Sequence, residues 1–191
     1  DRLEVFRRFI DEPYAALFYS KEGNGGRWAH IVASPTTVLT ARRDRAVAGE
    51  KKQAPPLSAL CSLEKARRYE YVASPAPFVS GIVGFVGYEI GSSIEPAAAG
   101  PPSPYSLPDM ALASYDASIG FDLEHRRAWV FSRSSAASGH LMDALNREPR
   151  PRPSRSGALA TFQSNFSREG YCAAVEDVRE RIRGGDLFQA N

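Results

Sequence analysis

The stretch Arg147-Glu148-Pro149-Arg150-Pro151-Arg152-Pro153-Ser154-Arg155 constrains this chain more than any other. Prolines at alternate positions each fix φ and remove a backbone donor. Neither a helix interior nor a central strand tolerates that pattern, so the segment reads as an extended polyproline linker. It divides the chain into an N-terminal domain over 1–147, a Pro/Arg-rich linker over 148–159 and a short C-terminal piece over 160–191. The linker arginines have no interleaved aromatics, so the stacking half of a single-strand nucleic-acid site is missing and a solvated linker is the better reading.

Upstream, the clearest signal is β. Met110 to Tyr115 and Ala117 to Asp122 read as two strands, Leu123-Glu124-His125-Arg126 turns the chain, and Arg127 to Ser132 pairs back. Tyr14 to Tyr19, Trp28 to Ala33 and Thr36 to Ala41 read as three more strands, with Trp28, His30 and Val32 on one face. Their short connections predict an antiparallel meander. The Gly-punctuated run 78–90 predicts a strand, then a turn or helix opened by Gly87-Tyr88-Glu89. Helices are expected over 58–69 and 138–147. Segments 42–56 and 95–108 read as loops, the latter because it holds Pro96, Pro101, Pro102, Pro104 and Pro108.

In the C-terminal piece, 160–165 reads as a strand and Ser167 as a helix N-cap. Tyr171, Ala174, Val175, Val178 and Ile182 form one helical stripe, and Gly184-Gly185 stops the helix. Asp186 to Ala190 reads as the beginning of a strand. A strand that short leaves an unpaired edge, so the native protein is expected to continue past Asn191.

Composition narrows the function classes. The 191 residues are 43% hydrophobic and 24% charged, values of a globular chain that buries a core. Net charge is +2, without the basic excess of a dedicated nucleic-acid binder. No apolar run approaches the ~20 residues of a membrane span, and no signal region opens the chain. Cys61 and Cys172 are far apart, which excludes a disulfide framework and a CxxC metal site. Two reduced thiols fit a cytoplasmic protein. Gly23, Gly25 and Gly26 lack the Lys-Ser or Lys-Thr of a phosphate loop, and Gly81, Gly84 and Gly87 lack dinucleotide spacing. No catalytic residue set stands out.

Four segments, in order, carry a family resemblance: PYAALFYS with GGRWAHIVASP (13–20, 25–35), FVSGIVGFVGYEIG (78–91), LPDMALASYDASIGFDLEHRRAWV (107–130) and SREGYCAAVEDVRERIRGGDLFQAN (167–191). Together they resemble the chorismate-using large subunits of aminodeoxychorismate synthase and anthranilate synthase. Gly185, Asp186, Phe188, Gln189 and Asn191 match the string that opens the family's chorismate-binding domain. The resemblance implies an α+β fold of antiparallel β-sheets with packed helices, and the N-terminal part of an aminodeoxychorismate synthase component I. The full protein would convert chorismate and ammonia, drawn from glutamine, to 4-amino-4-deoxychorismate for folate synthesis. It implies Mg2+ bound by residues after Asn191, a glutamine amidotransferase as partner or fused domain, and no synthase activity in 1–191 alone. Anthranilate synthase component I and a non-catalytic tryptophan-binding or glutaminase-docking module are the alternatives. By position, Ser20, Arg27 and Trp28 match residues that line a tryptophan pocket in the family; the competing reading is a packed sheet edge with no ligand.

Overall fold

Two antiparallel sheets stack face to face in the first part of the chain, with helices on their outer faces. The computed structural model describes residues 1–19, 26–48, 51–68, 73–101, 105–151 and 163–190. The chain divides into two compact units, Asp1–Pro151 and Arg152–Asn191.

Sheet one has the order β1-β2-β8-β9, from β1 (Ala16–Tyr19), β2 (Trp28–Val32), β8 (Ala117–Asp122) and β9 (Arg127–Ser132). Sheet two has the order β5-β4-β3-β7-β6, from β3 (Thr37–Arg42), β4 (Arg45–Ala48), β5 (Lys51–Ala54), β6 (Gly81–Val86) and β7 (Met110–Tyr115). The two-residue period of each strand sorts its side chains between two cores. Ile31, Ala117 and Ile119 turn outward from sheet one to meet Phe9 and the Leu141 and Ala144 face of α3 (Ser135–Leu145). Leu39, Ala41, Met110 and Leu112 turn outward from sheet two to meet Leu63 of α2 (Pro56–Ala66) and Ile90. Between the sheets, Val32, Ala113 and Tyr115 pack with Phe78 and Val83. Each such fully buried Leu, Ile or Phe contributes roughly 1.5–3 kcal/mol.

The α+β class with antiparallel sheets is as expected, and so is the 110–132 run of three strands. The meander is corrected. β1 and β2 pair antiparallel, but β3 leaves for the other sheet and pairs with β4 and β7. Ser34 adopts a φ of +53° just before Pro35, which redirects the chain. β8 takes the place beside β2, with Ile31 opposite Ile119. The 42–56 loop is also corrected, because it contains β4 and β5. Their charged residues suit strands toward a sheet edge, where a core-facing alternation is weak.

α2 starts at Pro56 rather than Ser58, since a proline at the first helical position loses no hydrogen bond. α3 starts at Ser135, three residues early, because the Ser134 hydroxyl accepts from the Ala137 N–H at 3.2 Å. A short 3-10 turn at Tyr88–Ser93 follows β6, as Gly87-Tyr88-Glu89 suggested. Another at Pro96–Ala98 lies in the proline-rich segment.

An α-helix at the N-terminus, α1 (Arg2–Phe6), was not legible in the sequence. The turn after it is tied to the end of the unit. Asp11 accepts from Arg150 at 2.6 and 2.7 Å, Glu12 pairs with Arg147, and the Arg150 N–H donates to the Arg7 carbonyl at 3.1 Å.

In the second unit, α4 (Arg168–Gly184) is capped by Ser167, whose hydroxyl accepts from the Gly170 N–H at 3.0 Å. Gly185 ends it at a φ of +82°, a left-handed cap that glycine takes without strain. Tyr171, Val175 and Ile182 are exposed. Residues 186–190 form no strand, contrary to the sequence reading, because no neighbouring strand pairs with them among the described residues. Residues 163–165 are not strand either, and the rest of the 160–165 reading lies outside the described residues. No described helix is long and apolar enough to cross a membrane.

Candidate functional site

A cleft of about 900 Å³ opens at one end of the two-sheet stack, lined in part by Trp28, Arg67, Phe78, Phe131 and Arg133. The strands explain its aromatic character. Trp28 opens β2 and points to the inter-sheet side, as do His30 and Val32. Trp129 and Phe131 come from β9, two strands away across β8. Trp28 lies 5.8 Å from Trp129 and 6.1 Å from the His30 ring, which in turn meets Phe78 edge-on at 5.7 Å. Arg67, at the end of α2, donates to Asp116 at 3.0 Å and to the Thr36 and Thr37 hydroxyls at 2.7 and 3.0 Å. That fork fixes the helix end to the mouth of the cleft.

His30, packed behind that wall against Trp28 and Phe78, is the unusual residue. It is 8% exposed, and neither ring nitrogen has a hydrogen-bond partner among the described residues. Burial pushes its pKa below the usual 6.5, so the imidazole is neutral at pH 7.

Arg27 and Trp28, two of the three expected tryptophan-pocket residues, sit side by side with different duties. Trp28 lines the cleft. The Arg27 guanidinium stacks 5.2 Å over the Trp28 ring and grips Asp122 with its Nε and Nη2, at 3.1 and 2.6 Å. Asp122 is 2% exposed and also accepts from the Glu124 and His125 N–H groups and from His125 Nδ1. The bidentate arginine, then the His125 contacts, hold its carboxyl well below the usual carboxylate range. Ser20 lies outside the described residues. Asp122, 95 residues from Arg27, is the partner that sequence reasoning missed. Its only signal was its place at the end of a strand before a turn.

Asp122, Glu124 and His125 bring ligand-type atoms within 4.8 Å of one another, the one such group among the described residues. The Arg27 guanidinium already neutralises Asp122 there, so the donor set does not suit a divalent cation. A second cluster joins Ser34, His140 and Glu12. Ser34 Oγ donates to Glu12 Oε2 at 2.6 Å, and His140 Nε2 lies 2.7 Å from Ser34 Oγ and 3.3 Å from Glu12. With the serine proton on Glu12, this nitrogen has only acceptors to face and carries its own proton. It therefore has no lone pair for Ser34, and the cluster is a clasp rather than a nucleophile-base pair. The Ser34 and Arg147 bonds bring the Glu12 carboxyl down to about 2. The described residues thus offer an aromatic, cationic cleft able to hold a planar anion, and no catalytic pair.

The matches to known proteins agree on one family. Residues 15–191 match the chorismate binding enzyme family. Anthranilate synthase component 1 of Cereibacter sphaeroides is 34% identical over 151 residues, covering 70% of this chain and 30% of the relative. Aminodeoxychorismate synthase component 1 of Klebsiella aerogenes is 25% identical, covering 97% of this chain and 43% of the relative. The chain thus spans well under half the length of these relatives. The crystal structure of anthranilate synthase component I from Streptococcus pneumoniae superposes with a TM-score of 0.66 at 23% identity, over 88% of this chain and 41% of that one, a likeness of fold. With a match running through both units, the chain belongs to the chorismate binding enzyme family.

Proposed function

We propose that the chain is the N-terminal part of an aminodeoxychorismate synthase component 1. The whole protein would replace the C4 hydroxyl of chorismate with the nitrogen of ammonia, releasing water and giving 4-amino-4-deoxychorismate. Aminodeoxychorismate synthase relatives from Klebsiella aerogenes and Salmonella typhimurium, which align with 97% and 94% of the chain at 25% and 26% identity, support this reading. Anthranilate synthases of Pseudomonas putida and Haloarcula marismortui align with 98% and 100% at 24% identity, so coverage is shared by both branches and the product decides between them. The second reading, anthranilate synthase component 1, draws on the 34% identity of the Cereibacter sphaeroides relative over 70% of the chain.

The role of this piece is architectural and ligand-binding. Its described residues hold no nucleophile-base pair and no acidic set open to Mg2+. Magnesium, the chorismate contacts and the reacting groups would lie in the length of the relatives that this chain does not span. Bound there, Mg2+ would offset negative charge on the substrate carboxylate. Ammonia would come from a glutamine amidotransferase, as a partner or a fused domain. The Trp28 cleft would hold tryptophan, with the indole between aromatic walls and the carboxylate near the arginines.

The test is a product assay on the longest reading frame containing this segment, given chorismate, Mg2+ and ammonium. 4-Amino-4-deoxychorismate, converted to para-aminobenzoate by an added lyase, supports the proposal. Anthranilate with pyruvate moves the protein to the second reading, and no turnover of either kind overturns both. The 191-residue chain alone is expected to turn over nothing.

A further inference from the structure

The β3–β4 hairpin carries a feature that the chorismate chemistry does not use. Arg42 and Arg45 are register partners, directly opposite each other across a two-residue turn. Like charges in that position destabilise a sheet. Two carboxylates are near, Asp44 in the turn and Asp109 beside it, but among the described residues neither forms an ion pair with either guanidinium. Arg42 donates to the Tyr105 carbonyl at 2.9 Å. Asp109 turns its carboxylate to the Arg43 N–H at 2.5 Å. Both arginines instead line a cleft of about 500 Å³, within the size range of small-ligand sites. Tyr14, Thr40 and Ser106 complete its wall with hydroxyl-bearing side chains. Paired guanidinium groups with hydroxyl donors beside them suit an oxyanion, which planar arginine forks bind in bidentate fashion. Val47 adds an apolar flank for the body of such a molecule.

The geometry points to a binding site for a small anionic metabolite at this hairpin, seated by Arg42 and Arg45 through its phosphate or carboxylate group. The site lies on sheet two, away from the Trp28 cleft, and does not depend on which synthase the whole protein is.

The test is calorimetric titration of the 191-residue chain with inorganic phosphate and, separately, with succinate, at constant ionic strength set by chloride. Saturable binding of either anion is expected, and which one binds identifies the group recognised. Arg42→Gln and Arg45→Gln should each weaken it about tenfold or more, and Arg43→Gln, outside the cleft wall, should not. A second readout needs no ligand: in low salt, Arg45→Gln should melt above the parent chain, because it removes the cross-strand repulsion. Absence of saturable heat with both anions, unchanged binding in Arg45→Gln, or a lower melting temperature for that variant without anion each overturns the proposal.

Discussion

His30→Phe should stabilise the protein: the residue it replaces is 8% exposed and packs against Trp28 and Phe78, behind the cleft wall that they form. A neutral imidazole carries one donor and one acceptor, and neither has a partner among the described residues. Each buried unsatisfied polar group costs roughly 1–3 kcal/mol, so removing them gains about that range or somewhat more. Phenylalanine keeps the ring contacts with Trp28 and Phe78, which a leucine would lose. Its extra ring atom would ordinarily strain a packed site, but Trp28 and Phe78 both border the open cleft and can yield toward it. For a chain of this size the melting temperature should rise about 2–4 °C per kcal/mol.

The pH dependence fixes the cause. Burial lowers the folded pKa of His30 below 6.5, so below that pH the unfolded chain takes up a proton that the folded chain resists. Stability then falls as pH drops through 6.5 toward the folded value, and the phenylalanine variant does not share that loss. Urea titrations near pH 7 and pH 5 should show a gap that widens in acid, with an unchanged m value. A variant less stable than the parent, or a gap independent of pH, would refute the claim that the imidazole is buried without partners.

Gly84→Ala should cost roughly 2–4 kcal/mol by chemical denaturation, because Gly84 sits at a φ of +157° and a Cβ there would lie 2.0 Å from the Ala111 carbonyl oxygen. Leu141→Ala should cost about 2–5 kcal/mol, as Leu141 is 1% exposed in the core beneath α3. Asp122→Asn should lower the melting temperature at neutral pH. The difference should shrink as pH falls below 3.8, because the depressed pKa of Asp122 means its contribution is present above that value and is lost in acid.

The 110–132 strands were legible because each alternates cleanly and is bounded by turn residues. β4 and β5 were not, since Arg42, Arg43, Arg45, Lys51 and Lys52 mask any alternation. The meander reading failed at Ser34-Pro35, where the sequence announces a turn but not the sheet to which it leads. The same limit governs the site. That Trp28 and His30 share a face follows from spacing two residues apart. That Arg27 grips Asp122, or that Phe78 closes over His30, depends on β8 lying beside β2, and local sequence does not encode that neighbour. Hydrogen-bond satisfaction is a property of the assembled core, so the orphaned imidazole had no sequence signal at all.

The clasp between Arg7, Asp11 and Glu12 and the pair Arg147 and Arg150 has a consequence for the architecture of larger chains. It brings together residues 143 positions apart, so the chain enters and leaves the first unit at nearly the same point. A unit whose ends meet is modular: joined through a short linker it can be circularly permuted, or inserted into a host loop, without unravelling either partner.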